Sequence, residues 1–249
     1  MMKGKVWRLV QLVAGIGLGW FLPGLHTPLS PSLSPLSPLS PDTVLPSPRL
    51  SPPLSVMVGV MTARSYLLTR ACSVWRTWGS QVIQAGGDIK FFVGEADDPG
   101  QLTSVLESCP GLPVVVLDNV RDDAYPPQHK SFSMLAWMWD NYGNKSVWFM
   151  RADDDVYIKV DQLLEFLRPI NSSSPQYLGQ AGRGRGLEKG QLDLAWDQNF
   201  CMGGPSMVFS WVTLSMMRPN IDACYENMIT SHEDVEVGRC VTRSTGRVW

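Results

Sequence analysis

The sequence predicts an α/β domain with a doubly wound, mainly parallel sheet, and three observations support this prediction. Short apolar segments alternate with longer segments of helical spacing, which is the pattern of consecutive β-α-β units. The short segments are apolar at almost every position, as expected of strands that are buried on both faces. A run of carboxylates directly follows one of these strands, at the sheet edge where open α/β proteins bind their ligands.

The predicted elements follow one another through residues 54–249. Strands are expected at residues 55–61, 88–93, 113–117, 147–150 and 206–210, and helices at residues 66–78, 128–142, 161–167 and 211–217. Gly79 is expected to end the first helix, and Pro169 ends the third. Phe132, Leu135 and Trp139 lie on one face of the second helix. No GxGxxG motif follows the first strand, which disfavours a dinucleotide-binding Rossmann domain.

Composition excludes several classes of protein. The 249 residues carry a net charge of −2 and form no basic stripe, so nucleic acid is not an expected partner. With 44% apolar residues, the chain can bury one globular core of ordinary size. Its five cysteines are too few for a disulfide scaffold, and their spacings match no zinc motif.

The first 53 residues predict a membrane anchor and a stem. Residues 1–8 carry three basic side chains and form a short cytoplasmic tail, and the apolar segment 9–25 is a signal anchor. A cleaved signal peptide is the alternative, although no A-x-A-like cleavage site follows the segment. The Pro/Ser-rich residues 26–53 predict an extended spacer. This organisation places residues 54–249 in the lumen of the secretory pathway.

A lumenal location has two chemical consequences. Asn144 and Asn171 begin glycosylation sequons and are predicted to carry glycan. An oxidising compartment also favours disulfides. The first expected pair is Cys224 with Cys240, because both flank an acidic cluster that a bridge would brace. The remaining expectations are a second pair, Cys72 with Cys109, and a free thiol at Cys201.

The first acidic cluster is Asp153-Asp154-Asp155, which follows the predicted strand 147–150. Adjacent carboxylates repel one another, and a hard divalent cation such as Mg²⁺ or Mn²⁺ offsets that repulsion. Asp153 and Asp155 are spaced to face one ion, which leaves Asp154 to orient a ligand. The alternative is a solvated acidic turn in which Asp153 caps a helix that begins near Val160.

The second acidic cluster lies in residues 232–240, His-Glu-Asp-Val-Glu-Val-Gly-Arg-Cys. One interpretation is a capping box, in which Thr230 and Glu233 start a helix. The functional alternative is a catalytic base at a helix N-terminus.

A glycine pair precedes this cluster. Gly203 and Gly204, before Pro205, predict either a backbone that closely approaches a ligand or a simple tight turn. The polar, glycine-rich residues 181–199 are either a substrate loop or a surface insertion.

Together these motifs resemble the fringe-like β-1,3-glycosyltransferases of glycosyltransferase family 31. The resemblance covers nearly all of residues 54–242. Within that family, Phe-Met-Arg-Ala-Asp-Asp-Asp-Val-Tyr-Ile-Lys, Asn-Phe-Cys-Met-Gly-Gly-Pro and the 232–240 segment resemble the amino-terminal domain of chondroitin sulfate synthases. The resemblance implies a GT-A fold and a single-pass type II protein of the Golgi membrane. It also implies transfer of glucuronate from UDP-glucuronate to terminal N-acetylgalactosamine of a chondroitin chain on a proteoglycan.

The resemblance also implies roles for individual residues. Asp153 and Asp155 hold Mn²⁺ or another divalent cation against the diphosphate of the UDP-sugar, and Asp154 orients the donor. Asp234 is the expected base for an inverting displacement, with Glu233 as the second candidate. The other donor-binding candidates are Thr62, Arg64 and Lys130, and the glycines at 203 and 204 are placed in the substrate pocket.

Other functions are also consistent with these motifs. One is a non-catalytic partner that binds UDP-sugar or chain within a hetero-oligomer with a chondroitin synthase or polymerising factor. Transfer of N-acetylgalactosamine or another hexose is a second alternative function. A lectin-like Ca²⁺-binding protein is a third, but this sequence lacks the extra acidic loop that such a protein would need. Retention of Asp153, Asp155 and Asp234 favours an enzyme. The family pattern also includes a second transferase domain and a histidine downstream of His232, so a carboxy-terminally truncated domain is expected.

Overall fold

The computed structural model describes residues 54–95, 105, 107–183 and 198–247. These residues all lie in one of two compact units, Leu50–Trp249; the other unit, Met1–Arg49, is outside the described residues. The expected anchor, residues 9–25, and stem, residues 26–53, are therefore outside them too. Within the described ranges, no helix is both long enough and apolar enough to cross a bilayer.

A six-stranded sheet forms the centre of the domain. In chain order the strands are β1 (Val56–Met61), β2 (Asp88–Glu95), β3 (Val114–Arg121), β4 (Trp148–Asp153), β5 (Tyr177–Gly179), β6 (Ala181–Gly182), β7 (Phe200–Cys201) and β8 (Met207–Ser210). The main sheet has the order β3-β2-β1-β4-β8-β5, and β6 pairs with β7 separately. Strands β1 to β4 are parallel, whereas β8 is antiparallel to β4 and β5. The predicted α/β fold with a mainly parallel sheet is confirmed.

The central parts of the strands are apolar because both faces of the sheet are covered. In β2, Phe91 joins one apolar cluster and Phe92 the cluster on the other side. In β4, Trp148 and Phe149 divide in the same way. All four side chains are at most 1% exposed, so successive side chains in the middle of these strands enter cores on opposite faces of the sheet.

Helices cover the sheet. In the described residues they include α1 (residues 64–84, a continuous helical run of 3-10, π and α segments), α2 (Gln128–Tyr142), α3 (Val160–Leu167), α4 (Trp211–Met217), α5 (Ile221–Glu226) and α6 (Glu233–Thr245). The predicted end of α1 at Gly79 is wrong, because Gly79 has helical dihedrals and the helical run continues to Gln84. A Cβ at this position would lie 3.0 Å from the Val74 carbonyl oxygen and 3.4 Å from the Ile89 side chain. Gly79 therefore permits close packing and does not end the helix.

Two disulfides confirm the predicted pairing. Cys72, in α1, is bonded to Cys109 before β3, and Cys224 in α5 is bonded to Cys240 in α6. The second bridge braces α6, the helix that begins with the second acidic cluster. Cys201 is the free thiol and is buried.

The free thiol supplies a test of this arrangement. Burial raises the pKa of Cys201 to about 12, so at pH 8 the buried thiol is almost fully protonated and unreactive. We expect native, unreduced protein to take up no alkylating reagent, as measured by intact mass. Denaturation without reductant should expose one thiol, and prior reduction all five. Cys201→Ala should lose the single label, and two or more labels on unreduced wild type would contradict the pairing.

Candidate functional site

The candidate site lies at the carboxyl ends of β1 and β4. Strand register pairs Met61 with Asp153, so the residues that follow each strand are neighbours. The Thr62 hydroxyl donates a 2.6 Å hydrogen bond to Asp154 Oδ2. Asp154 is the buried member of the acidic cluster, with 7% side-chain exposure, against 29% for Asp153 and 63% for Asp155. The three carboxylates therefore occupy three different environments.

The interpretation of this cluster as a helix cap is wrong. Strand β4 extends to Asp153 itself, and α3 begins at Val160 with Lys159 as its N-cap. No side chain caps that helix. The carboxylate of Asp153 is instead directed toward a buried arginine.

That arginine, Arg151, connects the two acidic clusters. Its side chain is 2% exposed, and its Nη1 lies 2.8 Å from Asp153 Oδ1. Nη2 donates to Glu233 Oε2 at 3.2 Å, and Nη1 also donates to the Gly203 carbonyl at 3.0 Å. Burial acts to lower the pKa of Arg151, but the charges of Glu233 and Asp153 outweigh burial and raise it. One buried cation therefore holds together three segments that are far apart in sequence.

Glu233 serves as a buried partner of this cation. Ser131 donates to its Oε1, and burial raises the pKa of Glu233 while Arg151 and Ser131 oppose that rise. Glu233 is the first residue of α6, yet no side chain caps this helix. The Thr230 hydroxyl accepts from the backbone of His232. The capping-box interpretation is therefore wrong, because the Glu233 carboxylate faces the interior.

Asp234 is the more accessible acid of the second cluster. It is half-buried, and its two carboxylate oxygens accept from the backbone N–H groups of Gly203 and Val235 at 3.2 and 3.0 Å. A Cβ on Gly203 would lie 3.0 Å from Glu233 Oε2, whereas a Cβ on Gly204 would meet nothing within 4 Å. Gly203 thus allows the turn to approach the acidic cluster closely.

Two of the expected donor-binding cations are engaged within the fold. Lys130 Nζ donates to Thr62 O at 2.8 Å, to Asp122 O at 2.6 Å and to Asp122 Oδ1 at 3.1 Å. These bonds use all three donors of an ammonium group. Arg64 is buried and donates from Nε to Gly94 O. Asp122, which sequence analysis did not single out, organises this region by also accepting from the Arg64 and Gly94 backbone.

Arg70 is a second side chain that the sequence motifs did not indicate. Its Nη1 lies 3.2 Å from Asp154 Oδ1 and 3.7 Å from Asp155 Oδ2. The hydrogen bond to Asp154 and the charge of Asp154 raise the pKa of Arg70. Arg70 borders an open hollow of about 420 Å³ that is also lined by Thr62, Tyr66, Tyr125, Lys130 and Asp154. This hollow is the candidate ligand pocket.

The chemistry of the donor set fits a hard divalent cation. Asp153 and Asp155 present carboxylate oxygens on either side of Asp154, which lines the hollow, and oxygen is the ligand that Mg²⁺ and Mn²⁺ prefer. Across the ranges that the structure describes, no three side chains of the His, Cys, Asp and Glu types form a ready-made metal cluster. The two carboxylates therefore suit an ion that shares its other ligands with a bound substrate or water.

The sequence of this chain is similar to those of a known protein family. Residues 53–247 match the Fringe-like family. The chain is 52% identical over 194 residues to chondroitin sulfate synthase 3 of Mus musculus, which covers 77% of this chain and 21% of that protein. It is 24% identical over 191 residues to chondroitin sulfate glucuronyltransferase of Homo sapiens, covering 77% and 22%. The chain thus spans about a fifth of the length of these relatives.

A solved structure is similar over much of the chain. It is the crystal structure of S. aureus TarS 1-349, at 12% identity and a TM-score of 0.39, covering 77% of this chain and 55% of that one.

Proposed function

Because this chain belongs to the Fringe-like family of glycosyltransferases, we propose that it transfers glucuronate from UDP-glucuronate to terminal N-acetylgalactosamine of a chondroitin chain. The buried Arg151 carries this proposal, since it joins Asp153 at the strand end to the Gly203 turn, whose backbone N–H binds Asp234. The names of the synthase and glucuronyltransferase relatives support the choice of sugars. We place the reaction in the Golgi lumen, on a type II membrane protein that works beside a chondroitin synthase or polymerising factor.

Asp153 and Asp155 would hold the divalent cation, with Mn²⁺ as the expected ion. When bound, it offsets the negative charge that develops on the departing UDP. Asp154 serves a different purpose, because the Thr62 hydroxyl and Arg70 restrain its buried carboxylate. It orients the donor from the floor of the hollow.

Asp234 acts as the general base of an inverting displacement. The acceptor hydroxyl oxygen attacks the anomeric carbon, the bond from that carbon to the phosphate oxygen breaks, and the hydroxyl proton passes to Asp234. The N–H groups of Gly203 and Val235 orient the carboxylate for this transfer. Glu233 is unsuited to be the base, because its carboxylate is 7% exposed and paired with Arg151.

Nucleotide binding tests the metal assignment. Asp153→Ala and Asp155→Ala each remove a charged ligand, so Mn²⁺-dependent UDP binding should weaken by more than the 10–100-fold typical of losing an outer-shell partner. Isothermal titration calorimetry of the lumenal chain, with Mn²⁺ or with chelator, measures this directly. Asp161→Ala is the matched control, because Asp161 is exposed on α3 and outside the site. If neither chelator nor either substitution changes the affinity for UDP, the cluster is an acidic turn that does not bind the metal.

A further inference from the structure

Two cationic side chains, Lys130 and Arg70, line the candidate donor hollow, and Lys130 is committed to the protein. Lys130 donates all three of its N–H bonds to Thr62 and Asp122. Arg64 is 8% exposed, binds the Gly94 carbonyl and is not among the residues that line the hollow. Lys130 cannot contact a diphosphate without giving up buried hydrogen bonds, which is costly. Lys130 Nζ therefore has no N–H bond left to donate to the phosphate that it was expected to bind.

Arg70 is the second of these cations, and its side chain is 45% exposed. Within the described part of the chain, its hydrogen bond to Asp154 uses Nη1 alone. The Nη2 and Nε donors remain for a ligand, and a guanidinium fork matches the oxygens of a phosphate. The 3.7 Å contact to Asp155 is solvent-exposed and therefore weak. Arg70 can thus give up its contact with Asp155 to bind a ligand while it keeps its hydrogen bond to Asp154.

The surroundings of Arg70 pre-organise it for such a contact. Its guanidinium carbon lies 4.2 Å from the centroid of the Tyr66 ring, a cation–π arrangement that restricts the side chain. Asp154, in the first acidic cluster, holds the Arg70 guanidinium through a 3.2 Å ion pair. Both Tyr66 and Asp154 line the same hollow as Arg70, so the positive charge is already at the hollow when a ligand arrives.

We propose that Arg70 is the residue that binds the diphosphate of the donor nucleotide. This assignment rests on the proposed function, because it names a binding residue for the same UDP-sugar. A charged hydrogen-bond donor beside an anionic group contributes most when the other cation at the site is already engaged, as Lys130 is here. Arg70 therefore recognises the charge of the diphosphate rather than the uracil or the sugar.

A nucleotide series separates these contributions. We would titrate wild-type chain with UDP, UMP and uridine in Mn²⁺ buffer, and repeat each titration with Arg70→Gln and Arg70→Lys. Arg70→Gln should weaken UDP binding by about 10–100-fold, as expected for losing a charge-assisted contact, and leave uridine binding unchanged. Arg70→Lys should recover part of the loss. Arg76→Gln is the matched control, because Arg76 is exposed on the same helical run and donates to the Ser108 carbonyl.

The outcomes distinguish the two proposals. If wild type binds no UDP, the donor site fails and with it the proposed function. If wild type binds UDP and Arg70→Gln binds it equally well, the proposed function stands and only the assignment of Arg70 is overturned. Equal weakening of UDP and uridine by Arg70→Gln would likewise overturn the assignment, since it would indicate a general disturbance around Asp154.

Discussion

Replacing Asp234 with asparagine should lower turnover by about 10²–10⁴-fold, the usual contribution of a positioned general base. Asparagine retains the size of the side chain and can still accept one of the two backbone hydrogen bonds from Gly203 and Val235. It cannot accept the acceptor's proton, so the loss arises in the transition state and donor affinity should change little. Glucuronate transfer to a chondroitin oligosaccharide at saturating UDP-glucuronate measures turnover, and calorimetry measures UDP affinity.

Glu233→Gln is the paired variant for this experiment. It replaces the neighbouring carboxylate, which the structure uses to hold Arg151 and Ser131. We expect this variant to unfold at lower denaturant concentration while losing much less turnover per folded molecule than Asp234→Asn. Near-normal turnover in Asp234→Asn would show that Asp234 is not the general base. A larger loss of turnover in Glu233→Gln would indicate that Glu233 is the base instead.

Replacing Arg151 with methionine should destabilise the fold by about 3–5 kcal/mol, the cost of removing one partner of a buried ion pair. The substitution leaves Glu233 and Asp153 without their shared cation, and Glu233 is 7% exposed. Stability is expected to fall because an uncompensated buried charge must then be accommodated or protonated. Urea unfolding followed by tryptophan fluorescence gives the free energy of unfolding for each variant.

A second substitution tests the cause of that loss. In the double variant Arg151→Met/Glu233→Gln the unpaired buried charge is gone, so part of the stability should return and the two effects should not add. Arg121→Met is the control, because Arg121 forms the same kind of pair with Asp123, two residues away, with both side chains about four-fifths exposed. It should lose far less stability. Equal losses at Arg151 and Arg121, or full additivity in the double variant, would contradict the role of Arg151.

The local patterns of the sequence determined strands β1 to β4 and β8, helices α1 to α4 and the position of the first acidic cluster. Continuous apolar runs predict strands buried on both faces, and the predicted helix at residues 128–142 coincides with α2. The carboxylates that follow β4 could be placed at the ligand-binding edge because parallel strands share that edge. The Cys224–Cys240 pair also followed from the expected compartment and from the position of both cysteines beside the second cluster, and Cys72–Cys109 was the second expected pair. Each of these inferences uses residues that are close in sequence or a general rule of sheet topology.

Only the tertiary structure decided how the charged side chains are paired. Glu233 and Asp234 are adjacent, yet one is a buried counter-ion of Arg151, 82 positions earlier in the chain, and the other is accessible. Arg70 and Asp154 meet across 84 positions, and no local motif marks that contact. Side-chain exposure and charge pairing depend on which segments fold against each other, and spacing along the chain carries no record of those long-range contacts. The sequence thus identifies acidic residues suited to metal binding and base catalysis, and the packing around Arg151 and Arg70 assigns each of them its environment.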